Sequence, residues 1–122
     1  MKIIGAFPKT RLRRLRKSKW MRDIISENNL SANDLILPIF LTEGKNKKEK
    51  IKTMPGIYRY SLDKLSSILD EAEKFKIPMI ALFPNTSNHQ KDYKGSEALN
   101  ENNLVCRAIK LIKKKYNKFG IM

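Results

Sequence analysis

The sequence predicts an α/β protein with parallel strands, because two apolar segments of strand length alternate with two helical segments. Leu35–Leu41 and Met79–Phe83 are continuous apolar runs of the kind found in strands that are buried on both faces. Ser61–Phe75 and Leu104–Tyr116 carry apolar residues at intervals of three and four, which is typical of helices with one buried face. This order predicts right-handed crossovers between parallel strands. A doubly wound sheet and a (β/α)8 barrel both fit it.

The N-terminal segment is strongly basic. Residues 1–22 hold nine basic residues and no acidic one, and like charges at this density rarely form a free-standing fold. We therefore expect residues 1–30 to form an extended arm that becomes ordered against another surface, with residues 31–122 as the α/β domain. A planar guanidinium group binds carboxylates bidentately at interfaces, so arginines are the candidate contact residues. They are Arg11, Arg13 and Arg14.

Short signals connect the arm to the first long helix. Trp20–Asn29 can form a short helix, and Leu30–Asp34 has the composition of a turn. Within the first strand, Pro38 cannot donate a backbone hydrogen bond, which a sheet tolerates at an edge or a bulge. After the strand we expect Glu43–Gly44 to open a lysine-rich loop that runs through Lys52, followed by a turn at Met54–Gly56.

The second half of the chain has clearer boundaries. Ser61 is placed to cap the helix that follows it, and Asp63 lies in the first turn, where the helix dipole favours an acidic residue. Residues 84–102 form a long polar loop after the second strand. Phe119–Met122 has the pattern of the start of a third strand.

Composition bounds the class of protein. A length of 122 residues suits one domain or part of a larger one, and 41% apolar residues argue against a wholly disordered chain. No apolar run approaches the roughly 18 residues of a membrane span. The N-terminus has an apolar patch followed by basic residues, the reverse of a secretion signal. A single cysteine, Cys106, excludes an internal disulfide, so we expect a cytoplasmic protein.

The net charge of +14 raises the possibility of nucleic-acid binding. The basic residues fall in three separate blocks, and the sequence lacks the aromatic and glycine pattern of an RNA-binding sheet and the paired Cys and His of a zinc finger. A lysine-rich solvated surface therefore accounts for the charge better. A basic protein that binds nucleic acid or another subunit stays the alternative hypothesis.

Residues with chemical potential are few. His89, the only histidine, lies in the polar loop after the second strand, on the side where α/β proteins form sites, but no nucleophile with an acidic partner accompanies it. Cys106 lies on or beside the apolar stripe of the second helix and is expected to be a packing residue. The acidic residues have no metal-binding spacing; they are Asp92, Glu97 and Glu101. The residues alone assign no function.

Six motifs occur in a fixed order along the chain. They are Phe7–Pro8 with Arg11–Arg16, Leu35–Phe40 followed by Glu43–Gly44, Met54–Arg59 leading into Ser61–Asp63, Ala81–Pro84, Lys94–Ala98 and Leu104–Ile109. Their residues and spacing resemble those of the delta-aminolevulinic acid dehydratases (porphobilinogen synthases), and the resemblance covers essentially all of the chain. Leu12 differs, because the family's arm has a proline at this point.

The resemblance implies the N-terminal third of a TIM (β/α)8 barrel, about two and a half βα units, preceded by an extended basic arm. The family condenses two molecules of 5-aminolevulinate into porphobilinogen for tetrapyrrole (heme) synthesis. Two lysines form Schiff bases with the substrate ketones, and zinc or magnesium is the expected metal. The family also forms octameric or hexameric homo-oligomers.

The family's functional residues fall on later strands. No lysine of this chain matches a catalytic position, and the metal ligands and the arginines that hold the substrate carboxylate also lie further along the family's sequence. The resemblance therefore implies no catalytic, substrate-binding or metal-binding residue in this chain. We expect a fragment that is inactive alone, as a truncated product or one piece of a split enzyme.

Overall fold

The computed structural model describes residues 5–11 and 13–122, so the first four residues of the arm and Leu12 lie outside the described residues. The chain divides into two compact units, Met1–Leu30 and Ser31–Met122. The first unit holds a 3-10 helix at Arg14–Arg16 and helix α1 at Lys19–Ile24. The helix expected at Trp20–Asn29 therefore begins one residue earlier and ends at Ile24, after six residues.

The second unit is built on a five-stranded sheet with the order β2-β3-β1-β4-β5. The strands are β1 (Ile36–Leu41), β2 (Lys48–Lys50), β3 (Tyr58–Tyr60), β4 (Met79–Pro84) and β5 (Gly120–Ile121). Helix α2 (Leu65–Lys74) connects the hairpin to β4, and helix α3 (Leu104–Lys115) connects β4 to β5. Because β1, β4 and β5 are parallel neighbours, the predicted α/β alternation is confirmed.

The core lies between one face of the sheet and the two long helices. Side chains alternate along each strand, so Ile39 and Leu41 of β1 lie on the same face as Ile80 and Leu82 of β4. These four residues form one buried cluster with apolar residues of both helices. The helix residues are Leu65, Leu69, Ala72, Leu104, Ala108 and Ile112.

The opposite face of the sheet, here called the open face, is also apolar. Ile36 and Phe83 are each 49% exposed. The rings of Phe40 and Phe83 stack on this face with centroids 5.5 Å apart. Neither α2 nor α3 covers this face, because both pack on the other side of the sheet. It is the face that becomes the interior when parallel strands close into a barrel.

The predicted lysine-rich loop at Lys45–Lys52 was wrong in part, because it contains β2. This strand pairs antiparallel with β3, and β3 pairs parallel with the end of β1. The Lys48 ammonium group lies 4.6 Å from the ring centroid of Tyr58 and 5.6 Å from that of Tyr60. These cation–π contacts stabilise a lysine on a strand. The sequence did not predict β2, because a strand of three residues is too short for a periodic signal.

The expected role of Ser61 as a helix cap was also wrong. Its side chain is fully buried and makes no capping bond to the 3-10 helix Leu62–Lys64 that precedes α2. Its hydroxyl accepts the Lys47 N–H at 2.9 Å and lies 3.3 Å from the Lys47 carbonyl. Asp63 accepts the Asn46 N–H at 2.9 Å, and hydrogen bonding by Ser61 and Asn46 holds the pKa of Asp63 below its usual range. Both side chains anchor the hairpin rather than the helix.

Pro38 causes no loss in the pairing between β1 and β4. The Leu41 carbonyl points toward the β4 side and accepts the Asn85 N–H, whereas the Thr42 N–H points the other way and donates to Tyr60. By alternation, the nitrogen of Pro38 faces the β3 side. Since β3 pairs only with Phe40 and Leu41, Pro38 occupies the edge position at which its missing N–H is tolerated.

Helices α2 and α3 are joined at their carboxyl-terminal halves by Tyr116. Its hydroxyl donates to Asp70 of α2 and accepts a hydrogen bond of 2.9 Å from Lys115. Burial and the bond to Asp70 raise the pKa of Tyr116. None of the described helices is both long and apolar enough to cross a membrane.

We predict that the 122-residue chain by itself is molten or aggregation-prone. The open face leaves apolar area in water at a cost of about 25 cal/mol per Å2, and complete domains are stable by only about 5–15 kcal/mol. Hydrogen exchange of the purified chain should show little protection in both central strands, close to that of the same chain in urea. Slow exchange throughout Leu35–Leu41 and Met79–Phe83 in a monomer would contradict this prediction.

Candidate functional site

The carboxyl ends of β1 and β4 meet at a pocket. In parallel α/β folds this side of the sheet carries the loops that bind ligands. The pocket has a volume of about 390 Å3 and lies between the loop after β4, the start of α3 and Glu43, which follows β1. It is lined by Glu43, Pro84, Asn85, Thr86, Gln90, Glu97, Ala98, Asn103, Leu104, Val105 and Cys106.

Asn103 holds the wall of this pocket together. Its side-chain oxygen accepts the Cys106 N–H at 2.8 Å, which caps the amino terminus of α3. Its side-chain nitrogen donates to the Glu97 carbonyl at 3.2 Å. One amide therefore fixes the helix and the polar loop to each other.

Two carboxylates and one thiol reach the pocket. Glu43 forms an ion pair with Arg107 of α3, and Glu97 accepts a 3.2 Å hydrogen bond from the side chain of Asn100. Cys106 is half-buried beside them and is free. With Leu104 and Val105 as an apolar floor, the pocket is suited to a small molecule with polar ends. Among the described residues of its lining, no nucleophile is hydrogen-bonded to a general base.

His89 lies outside this pocket in an exposed 3-10 helix at Asn88–Gln90. Its Nε2 is 3.3 Å from the hydroxyl of Ser87, which donates instead to Gln90 at 2.6 Å. Asp92 accepts the Ser96 N–H at 2.9 Å, and hydrogen bonds from the side chain and backbone of Ser96 lower the pKa of Asp92. These contacts order the loop and assemble no catalytic group.

The described residues offer no set of metal ligands. Within residues 5–11 and 13–122, no three side chains of His, Cys, Asp or Glu converge. The lone thiol of Cys106 does not make a site with Glu43 and Glu97, although all three line one pocket. The described residues therefore do not provide the ligand set that a bound metal ion requires.

The arm arginines lie together in the first unit. They line a cavity of about 930 Å3 whose walls are Phe7, Thr10, Arg11, Arg13, Arg14, Arg16 and Lys17. The guanidinium group of Arg11 lies 5.4 Å from the ring centroid of Phe7. No carboxylate is among the described lining residues, so this concave surface is suited to an anionic group.

A row of four side chains crosses the open face. The sequence analysis did not identify the cation in this row, Arg59, as a functional residue. Arg59 of β3 is in register with Phe40 of β1, which is in register with Phe83 of β4, while Glu49 of β2 lies opposite Arg59. In-register residues share a face, so Arg59 lies on the open face near the carboxyl ends of the strands. The alternation Tyr58-Arg59-Tyr60 was the available sequence signal.

Comparisons with known proteins agree on one family. The sequence model described as "Delta-aminolevulinic acid dehydratase" matches residues 9–122. The chain is similar to the delta-aminolevulinic acid dehydratase of Bradyrhizobium diazoefficiens, with 47% identity over 112 residues that cover 92% of this chain and 32% of the relative. It is 44% identical to that of Methanothermus sociabilis over 88% of this chain and 33% of the relative.

Solved structures give the same result. The chain is similar to delta-aminolevulinic acid dehydratase (porphobilinogen synthase) of Toxoplasma gondii, crystallised with the reaction product porphobilinogen. The TM-score is 0.81 at 29% identity, and the match covers 92% of this chain and 32% of that one. The chain therefore spans about a third of the length of each of these three proteins.

We predict that Asn103→Ala loosens the start of α3. Loss of an N-cap side chain costs about 1 kcal/mol, which is roughly a fivefold change in a local opening equilibrium. In the chain bound to the remaining two-thirds of the Bradyrhizobium diazoefficiens relative, the Cys106 amide should exchange about five times faster with solvent, measured by hydrogen exchange with NMR detection. Asn102→Ala is the matched control, because only its backbone is hydrogen-bonded. Equal exchange rates in the two variants would show that Asn103 does not cap the helix.

Proposed function

Because the chain belongs to the delta-aminolevulinic acid dehydratase family, we propose that it supplies the first part of an enzyme that condenses two molecules of 5-aminolevulinate into porphobilinogen. The observation that carries this proposal is the family match over residues 9–122. A structural match with a TM-score of 0.81 to a dehydratase that holds porphobilinogen supports it. The enzyme is a hydro-lyase of tetrapyrrole synthesis, and the cytoplasm is the compartment we propose.

In this proposal the chain contributes scaffold and part of the barrel mouth. β1, β4 and β5 form successive barrel strands, with α2 and α3 on their outer side. The open face becomes the barrel interior. The pocket at Glu43 and Asn103 lies on the loops that surround the mouth, where TIM barrels place their sites.

We assign the covalent chemistry to the remainder of the family's chain. A Schiff base forms when an unprotonated lysine amine attacks the ketone carbon of the substrate, and a low-dielectric, cationic environment favours the neutral amine. None of the 19 lysines here matches a catalytic position of the family. The family's metal, for which we propose zinc or magnesium, belongs with the same later segments.

We further propose that the N-terminal arm packs on another subunit of a homo-oligomer. The arm cavity concentrates guanidinium groups, and the planar fork of arginine forms two hydrogen bonds with one carboxylate. Arg11, Arg13 and Arg14 would meet carboxylates there. The same contacts account for the basic charge of the arm without a nucleic-acid partner.

We predict that the chain alone produces no porphobilinogen and that activity appears when the missing segments are supplied. The complementing polypeptide is the remaining two-thirds of the Bradyrhizobium diazoefficiens relative, co-expressed with this chain. Borohydride trapping with 5-aminolevulinate should label lysines of the added polypeptide only. The added polypeptide by itself is the control.

Two results would contradict the proposal. Stoichiometric labelling of one lysine in the isolated chain, together with porphobilinogen formation, would place the chemistry in this chain. A well-folded complex that neither forms porphobilinogen nor is labelled would show that this chain does not serve as the dehydratase scaffold.

We predict that Arg13→Ala combined with Arg14→Ala shifts the reconstituted enzyme toward smaller species in sedimentation velocity. Each substitution removes a charge-assisted interaction of about 1.5–3 kcal/mol from every arm contact. Lys45→Ala combined with Lys52→Ala is the matched control, because it removes the same charge from exposed residues of the second unit. An unchanged size distribution in the arm variant would refute the arm contact.

A further inference from the structure

Arg59 is a half-buried cation on the apolar open face. It shares a row with Phe40 and Phe83, whose rings stack, and the row lies one residue before the carboxyl ends of β1 and β4. The ion pairs among the described residues do not include Arg59, and none of their hydrogen bonds satisfies its guanidinium group. The group is therefore available for an acceptor from outside this set.

The nearest acidic candidate has other partners. Glu49 lies directly opposite Arg59 in the hairpin, a position that favours a cross-strand ion pair. Its Oε1 instead lies 3.7 Å from the Lys47 ammonium nitrogen, and its Oε2 lies 3.5 Å from the hydroxyl of buried Thr42. Among the described residues, this carboxylate forms no ion pair within 4.0 Å of the Arg59 guanidinium group.

Closure of the barrel would bury the Arg59 side chain, which then requires an anionic partner. The open face becomes the interior of a closed sheet, and an arginine in such a place is stable only when an anion pairs with it. The planar fork of arginine matches a carboxylate, with two parallel N–H···O bonds. The apolar rings of Phe40 and Phe83 beside it strengthen that pair by excluding water.

We propose that Arg59 binds a carboxylate at the mouth of the barrel, an inference that rests on the proposed function. Two sources have this chemistry. One is the substrate, since 5-aminolevulinate is a keto acid and porphobilinogen retains its carboxylates. The other is an Asp or Glu from a later strand. In the first case Arg59 sets substrate affinity, and in the second it joins the first third of the barrel to the rest.

The test uses the complex reconstituted with the complementing polypeptide. Arg59→Met removes the charge and keeps an extended side chain, while Arg59→Lys keeps the charge without the fork. Lys50→Met is the matched control, because Lys50 is on the same hairpin but pairs with Tyr58 on the other face of the sheet. Steady-state kinetics, thermal unfolding and a crystal structure with levulinate, the keto acid that lacks the substrate's amino group, are measured for each variant.

A substrate carboxylate predicts that Arg59→Met raises KM about 10- to 100-fold, with a small change in kcat and in Tm, and that Arg59→Lys recovers part of the affinity. A protein carboxylate predicts a fall in Tm with an unchanged KM. If Arg59→Met behaves like Lys50→Met in both measurements, and the guanidinium group contacts no carboxylate in the crystal, the proposal is wrong. Tm and the crystal structure do not depend on turnover, so an inactive but folded complex counts against the proposed function alone.

Discussion

The register between β1 and β4 is the constraint on which the rest of the second unit depends. Six residue pairs, from Ile36–Met79 to Leu41–Pro84, fix which side chains face the helices. Ile39, Leu41, Ile80 and Leu82 of these pairs are buried against α2 and α3, and the alternate pairs form the open face. A slip of one residue would exchange the two faces. The same register sets the position of the row that ends in Phe83 and the height of the loops around the pocket.

The hairpin extends this register to a third strand through polar contacts in addition to the packing of Tyr60 in the core. Ser61 fixes the backbone of Lys47, and the Thr42 N–H donates to Tyr60, so β3 aligns with only the last two residues of β1. That short alignment is sufficient to carry Arg59 into the row with Phe40. Buried Ser61 therefore determines where Arg59, two residues earlier on β3, is presented, because each polar group buried there requires a fixed partner.

Much of the fold could be predicted from the sequence, because the spacing of apolar residues in a long segment indicates both its secondary structure and its buried face. The stripe of Leu65, Leu69 and Ala72 identified α2, and two apolar runs identified the central parallel strands. The hairpin could not be found in this way, because its strands have three residues each and its cross-strand contacts are specified by partners distant in sequence. The motifs indicated the family, but the position of Arg59 required the register of three strands. Ser61 was misassigned because a serine before a helix and a buried serine have the same local sequence.

In the proposed role as the first part of a dehydratase, the position of Pro38 has a consequence for the time during which that enzyme is being synthesised. Chains grow by about 5–20 residues per second, so the later two-thirds of a relative such as that of Bradyrhizobium diazoefficiens follow this part over tens of seconds. Throughout that interval the unfinished sheet could pair with a neighbouring nascent chain on the same messenger. Along β1, Pro38 removes the donor at the centre of the free edge and β3 occupies its end. A neighbouring copy on the same messenger therefore meets an interrupted edge along β1, and the lysines of β2 repel it at the other side of the hairpin. Both features favour pairing of β1 with a later strand of its own chain over pairing with another copy.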